Sequence, residues 1–155
     1  MKTYVLIVAK TFQAKHNKAG HETYFRFAIQ RALGIEPILP HLEIFRKKIH
    51  TIRQNYPLWE KRVKEVQEGK AVLSLREWSG RPYNSKQVEI CKLEKIGVQK
   101  LEDPANFVFA PIDGKTINWD EVAKNDGLSF EDFCEWFKVR KNSPMAIIHF
   151  TDFRY

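Results

Sequence analysis

The sequence predicts an α+β fold: a small curved sheet or barrel flanked by helices. Three observations point to it. Strand-like runs outnumber helical ones, two of them are joined by a short turn-rich loop, and no strand–helix–strand alternation of the doubly wound kind runs through the chain. With 155 residues and 43% apolar side chains, including eleven Phe and four Trp, the chain can bury a core of its own, so a single domain over 1–155 is expected.

Thr3 to Ala9 is β-branched and apolar on both faces, as in a strand buried within a sheet. A polar loop with His16, Asn17, Gly20 and His21 follows. Thr23 to Leu33 then reads as a helix, with Phe27 and Arg31 at one spacing and Gly34 as its stop. Pro37 and Pro40 impose a loop, and Lys48 to Ile52 reads as a turn entering a short extended piece. Pro57 suits the start of a helix reaching Gln67, with Trp59, Val63 and Val66 on one face and Gly69 past its end.

Ala71 to Trp78 and Lys86 to Leu93 read as an antiparallel pair joined by the loop Ser79 to Ser85. Phe107 to Ala110 is expected as another short strand. Asn118-x-x-Glu121 and Ser129-x-x-Asp132 are capping boxes that open two short helices, the second burying Phe130, Phe133, Cys134 and Phe137. Met145 to Phe150 is the apolar strand that closes the sheet.

A formal net charge of +7 favours an anionic partner, either nucleic acid or a phosphorylated small molecule. Cys91 and Cys134 are isolated, with no CxxC spacing, which reads as two reduced, buried thiols and a cytoplasmic location. Lys10 ends the first apolar run well short of a membrane span, so neither a leader nor a membrane segment is expected. His16, His21, His41, His50 and His149 lack ligand spacing, and Gly-rich phosphate loops and G-x-S-x-G elbows are absent, so neither a metal nor a cofactor is expected. His50 is expected to point inward beside Ile52.

Positive charge concentrates between residues 46 and 64, where Arg46, Lys47, Lys48, Arg53, Lys61, Arg62 and Lys64 face only Glu60. If residues 49–53 are extended, alternation puts Thr51 and Arg53 on one side and His50 and Ile52 on the other. The long stem of Lys48 lets its ammonium swing towards the Thr51 hydroxyl. Spacing alone leaves a solvated strand edge as the other reading. In the hairpin, Trp78, Arg81, Tyr83 and Lys86 combine aromatic faces with cations, the means by which single-stranded nucleic-acid sites stack bases and pair phosphates; the alternative has Trp78 capping the hairpin. Trp59 reads more readily as core, and Trp119 and Trp136 as core or rim.

Lys48-x-x-Thr51-x-Arg53 resembles the G-x-K-x-x-T-x-R signature of the ASCH family, a PUA-like group of small β-barrel domains associated with RNA. The order of elements is similar as well: an apolar strand before the motif, a hairpin of longer strands after it, then an acidic-Gly segment before a helix and a last strand. The resemblance implies a PUA-like barrel with flanking helices and a nucleotide, nucleoside or RNA ligand. Some members hydrolyse N4-acetylcytidine. Likeness to them implies Thr51 as nucleophile, Lys48 as its activating amine and Asp126 as the carboxylate that orients the ammonium, with Arg53 holding an anion or carbonyl oxygen. Arg46 stands where the family has Gly, and Asp126 where the hydrolases have Glu. A non-catalytic RNA-binding module, in which Asp126 is a turn residue of Asn125-Asp126-Gly127, is the alternative.

Overall fold

The computed structural model describes residues 1–35, 46–138 and 142–155. The loop expected at Pro37 and Pro40 lies outside the described residues. Within them the chain is α+β, with strands β1 (Lys2–Ile7), β2 (His50–Arg53), β3 (Ala71–Trp78), β4 (Gln87–Leu93), β5 (Gly97–Leu101), β6 (Ala110–Ile112), β7 (Lys115–Ile117) and β8 (Met145–His149). The helices are α1 (Phe25–Ala32), α2 (Tyr56–Gln67), α3 (Trp119–Asn125) and α4 (Phe130–Trp136). No helix among the described residues is long and apolar enough to cross a membrane.

Among the described residues the strands form two sheets, one ordered β1-β3-β4 and the other β2-β8-β5-β6-β7, rather than one closed barrel. Helix α2 packs against strands of both sheets, β3 on one side and β5 and β8 on the other. Its start fits its sequence. The Asn55 side chain accepts a hydrogen bond from the Leu58 N–H, Pro57 occupies the first turn where no intrahelical N–H is needed, and Trp59, Val63 and Val66 are buried. Trp59 is therefore core, with Arg62 lying over its outer edge.

Three local expectations need correction. β1 does not run through the middle of a sheet; it is an edge strand paired in parallel with β3, so Leu6 is buried while Val5 is exposed. Parallel pairing requires a long crossover, and residues 8–70 supply it. Phe107 and Val108 are almost fully exposed; the strand begins at Ala110 and pairs with β7 across Asp113-Gly114, whose positive φ angles suit a tight hairpin turn. In α4 the buried apolar side chain is Phe133, whereas Phe130 is exposed and Cys134 and Phe137 are half-buried.

Other readings match what the chain does. β3 and β4 pair antiparallel, with a bulge between Leu75 and Arg76. Asn118 and Ser129 cap α3 and α4 through their side chains. β8 is central to its sheet, flanked by β2 and β5, and Ile147 and Ile148 are completely buried there. The cysteines differ from expectation in burial: both are free but only half-buried, and burial together with neighbouring Glu89 pushes the Cys91 thiol up to about 11.

Candidate functional site

The basic motif enters the core where β2 begins. The Lys48 N–H donates to the Ala28 carbonyl of α1, the Ile49 N–H donates to the Asn125 carbonyl of α3, and the Phe150 N–H donates to the Ile49 carbonyl. These bonds hold residues 48 and 49 between α1, the end of α3 and β8. Lys48 and Asp126 form a single antiparallel bridge.

The local structure at Asp126 follows from how α3 stops. Gly127 has φ +79°, a left-handed conformation, and the Leu128 and Gly127 N–H groups donate back to the Ala123 and Lys124 carbonyls, closing the helix. A Cβ on residue 127 would lie 3.0 Å from the Lys48 Cβ, so glycine is required both by the turn and by the approach of Lys48. Asp126, the last residue before that turn, is thereby aimed inward.

Lys48 is 2% exposed and Asp126 3%. The Lys48 ammonium donates to Asp126 Oδ1 at 2.9 Å and to the Asp126 carbonyl at 2.8 Å, with the Phe25 ring centroid 4.2 Å from Nζ. Burial lowers the Lys48 pKa, with Arg53 adding to the effect, while Asp126 opposes it. Burial on its own pushes the Asp126 carboxyl up, but Lys48 and His50 together hold it below the usual carboxylate range. The shorter side chain therefore reaches its lysine, because the helix end brings its backbone into contact with Lys48.

Thr51 and Arg53 share one side of β2, as alternation requires. The Arg53 guanidinium donates to Thr51 Oγ1 at 2.9 Å, to the Ile52 carbonyl at 3.1 Å and to the Ile7 carbonyl at 2.7 Å. It pairs with no carboxylate among the described residues, and burial lowers its pKa. Lys48 pairs with Asp126, the carboxylate expected to orient it, while among the described residues no hydrogen bond joins Nζ to Thr51 Oγ1.

Lys48, Thr51, Arg53 and Asp126 line one cleft of about 350 Å³ together with Trp78, Pro82 and Tyr83, with Phe25, Trp136 and Phe137 among its apolar walls. That volume is within the usual range for small-molecule sites. Trp78 and Tyr83 pack with ring centroids 5.2 Å apart, and Tyr83 is 88% exposed with φ +63°. Arg81 and Lys86 are exposed on the same hairpin but do not line the cleft.

Behind Asp126 lies a polar layer that motif spacing does not reveal. His50 is fully buried as expected, yet its Nδ1 is 3.4 Å from Asp126 Oδ1 and its Nε2 is 2.6 Å from Tyr155 Oη, which also receives the Asn125 amide at 3.1 Å. His149, adjacent across the pair, is held through Nε2 by Gln99 Oε1 at 3.0 Å. The Tyr155 N–H donates to the same Gln99 oxygen at 2.8 Å, so that atom is the amide oxygen and His149 carries its proton on Nε2. No group of three or more His, Cys, Asp or Glu side chains among the described residues is placed to hold a metal. Compared with protein-family models, curated proteins and solved structures, the chain finds no match in any of the three.

Two outcomes follow. Asp126→Ala leaves a buried ammonium without its partner and should cost about 3–5 kcal/mol of stability in urea unfolding, whereas Lys48→Met with Asp126→Leu should recover most of that loss. A single mutant no less stable than wild type would show that the pair is not buried. Burial lowers the His149 pKa to about 3, so between pH 6.5 and 3 the unfolded chain binds a proton there that the folded chain does not. Stability should rise with pH across that window and fall on acidification, by up to about 1.4 kcal/mol per pH unit from this group. His149→Gln should flatten that slope.

Proposed function

We propose that the chain is a PUA-like domain of the ASCH type that binds a nucleoside, nucleotide or RNA segment in the cleft between Lys48, Thr51 and Arg53 and the Trp78–Tyr83 wall. A cleft lined by the cations Lys48 and Arg53, the Thr51 hydroxyl, half-buried Trp78 and exposed Tyr83 carries the reading, because such residues can bond the edge of a base and stack its face. The order of elements around the K-x-x-T-x-R motif supports the family assignment, with two sheets standing where the barrel is expected.

The activity that best uses these residues is hydrolysis of N4-acetylcytidine. Thr51 Oγ attacks the acetyl carbonyl, neutral Lys48 takes the hydroxyl proton, and Arg53 stabilises the oxyanion. Collapse breaks the C–N4 bond, and the Lys48 proton goes to N4 as cytidine leaves. Water then attacks the acetyl-Thr51 ester, again with Lys48 as base, to release acetate. Asp126 holds the lysine in place and balances its charge. Burial of Lys48 supports this role, since a lysine serves as base only where its pKa is depressed. The bond from Arg53 to Thr51, with none from Lys48, favours a second reading, a non-catalytic RNA- or nucleic-acid-binding module that draws also on Arg81 and Lys86.

Incubation of the purified chain with N4-acetylcytidine, followed by chromatography for cytidine, separates the two. The hydrolase reading predicts turnover that is lost in Thr51→Ala and Lys48→Ala and rises with pH as Lys48 loses its proton. No cytidine at high enzyme concentration sinks it, and RNA affinity that falls steeply with added salt would then support the binding module.

A further inference from the structure

We propose that His50 and Tyr155 are positioning residues of the cleft, forming with Asn125 a buried polar chain that ends against the carboxylate that holds Lys48. The inference rests on the reading that this cleft is the working site. Hydrogen bonds run from Asn125 Nδ2 to Tyr155 Oη at 3.1 Å and between Tyr155 Oη and His50 Nε2 at 2.6 Å; His50 Nδ1 then lies 3.4 Å from Asp126 Oδ1, an electrostatic contact without hydrogen-bond geometry. Asp126 Oδ1 is in turn 2.9 Å from Lys48 Nζ.

The direction of the chain follows from what each atom can do. An amide nitrogen only donates, so the tyrosine oxygen accepts from Asn125, which leaves its single hydrogen free for His50 Nε2. Nε2 is then an acceptor, and neutral His50 carries its proton on Nδ1, facing the carboxylate. The opposite direction would set an imidazole lone pair against a carboxylate oxygen, two acceptors facing each other in the core. The groups around His50 agree. Lys48 and burial disfavour a second proton on the ring, Asp126 favours it, and the His149 ring lies 5.5 Å away, edge to face.

The anchor of Tyr155 is separate from its hydroxyl. Its N–H donates to Gln99 Oε1, and its carbonyl accepts from Gln99 Nε2 at 3.2 Å and from Lys115 Nζ at 3.1 Å. Tyr155→Phe therefore removes the Oη link while keeping the main-chain anchor. The chain gives the buried carboxylate a second partner besides Lys48. Asp126 thus remains oriented and ionised when the lysine gives up its proton, as a base in this cleft must.

The test is nitrogen-15 NMR of the histidine rings together with carbon-13 detection of the Asp126 carboxyl, on the full chain. The wild type should show His50 protonated at Nδ1, and Tyr155→Phe should lose that clear preference. His50→Gln, which reaches Tyr155 but not the carboxylate, should raise the Asp126 titration midpoint by about one pH unit. His50→Asn, whose amide nitrogen superposes on Nδ1, should leave the midpoint near wild type. A structural role alone would not order the two amides this way. His50 protonated at Nε2, or an Asp126 midpoint no higher in His50→Gln than in wild type, overturns the proposal whether or not the protein turns over N4-acetylcytidine. If it does, kcat should fall about a hundredfold in His50→Gln with KM little changed. No turnover, with the tautomer and midpoint as expected, counts against the hydrolase reading and leaves the chain standing.

Discussion

A lysine and an aspartate, both nearly sealed from solvent, face each other at 2.9 Å where β2 meets the end of α3. Removing two charges from water is expensive, and their attraction offsets that cost only when the geometry is good and the remaining hydrogen-bonding groups find partners. Those conditions bear on much of the surrounding structure. The Asp126 carbonyl takes a second proton of the ammonium, the Phe25 ring lies near its remaining side, and His50 approaches the carboxylate from behind. The α3 turn brings its backbone against Lys48, so a side chain at position 127 would crowd the lysine stem as well as strain the turn.

From that pair the cleft can be understood as a division of labour between the two sheets. β2 belongs to the five-stranded sheet and presents Thr51 and Arg53, while the β3–β4 hairpin of the three-stranded sheet supplies Trp78 and Tyr83. The Arg53 guanidinium joins the two sheets by donating to the Ile7 carbonyl at the end of β1. Helix α2 packs against strands of both sheets.

Local rules made much of this legible. Pro57 and the Trp59, Val63, Val66 stripe marked α2, the capping boxes marked α3 and α4, and alternation put Thr51 and Arg53 on one side of β2. The aromatic run at Phe107 suggested a strand, but Asp113-Gly114 was the stronger hairpin signal and fixes β6 and β7 on either side of itself. The partner of β1 was hidden because parallel pairing across residues 8–70 leaves no local trace. Tyr155 is more than a hundred residues from His50 and belongs to no motif, so only the fold brings it to the site. That Lys48 bonds Asp126 without also bonding Thr51 was equally hidden, since a flexible lysine stem reaches several partners.

The central claim is that a base-containing ligand occupies the cleft between the Lys48–Asp126 pair and the Trp78–Tyr83 wall. Heteronuclear NMR of the labelled chain, titrated with cytidine, tests it most directly. The account predicts saturable shifts at the Thr51 amide, the Arg53 side chain and the Trp78 indole, with the buried indole of Trp59 unmoved. Shifts confined to other surfaces, or none at millimolar nucleoside, would contradict it.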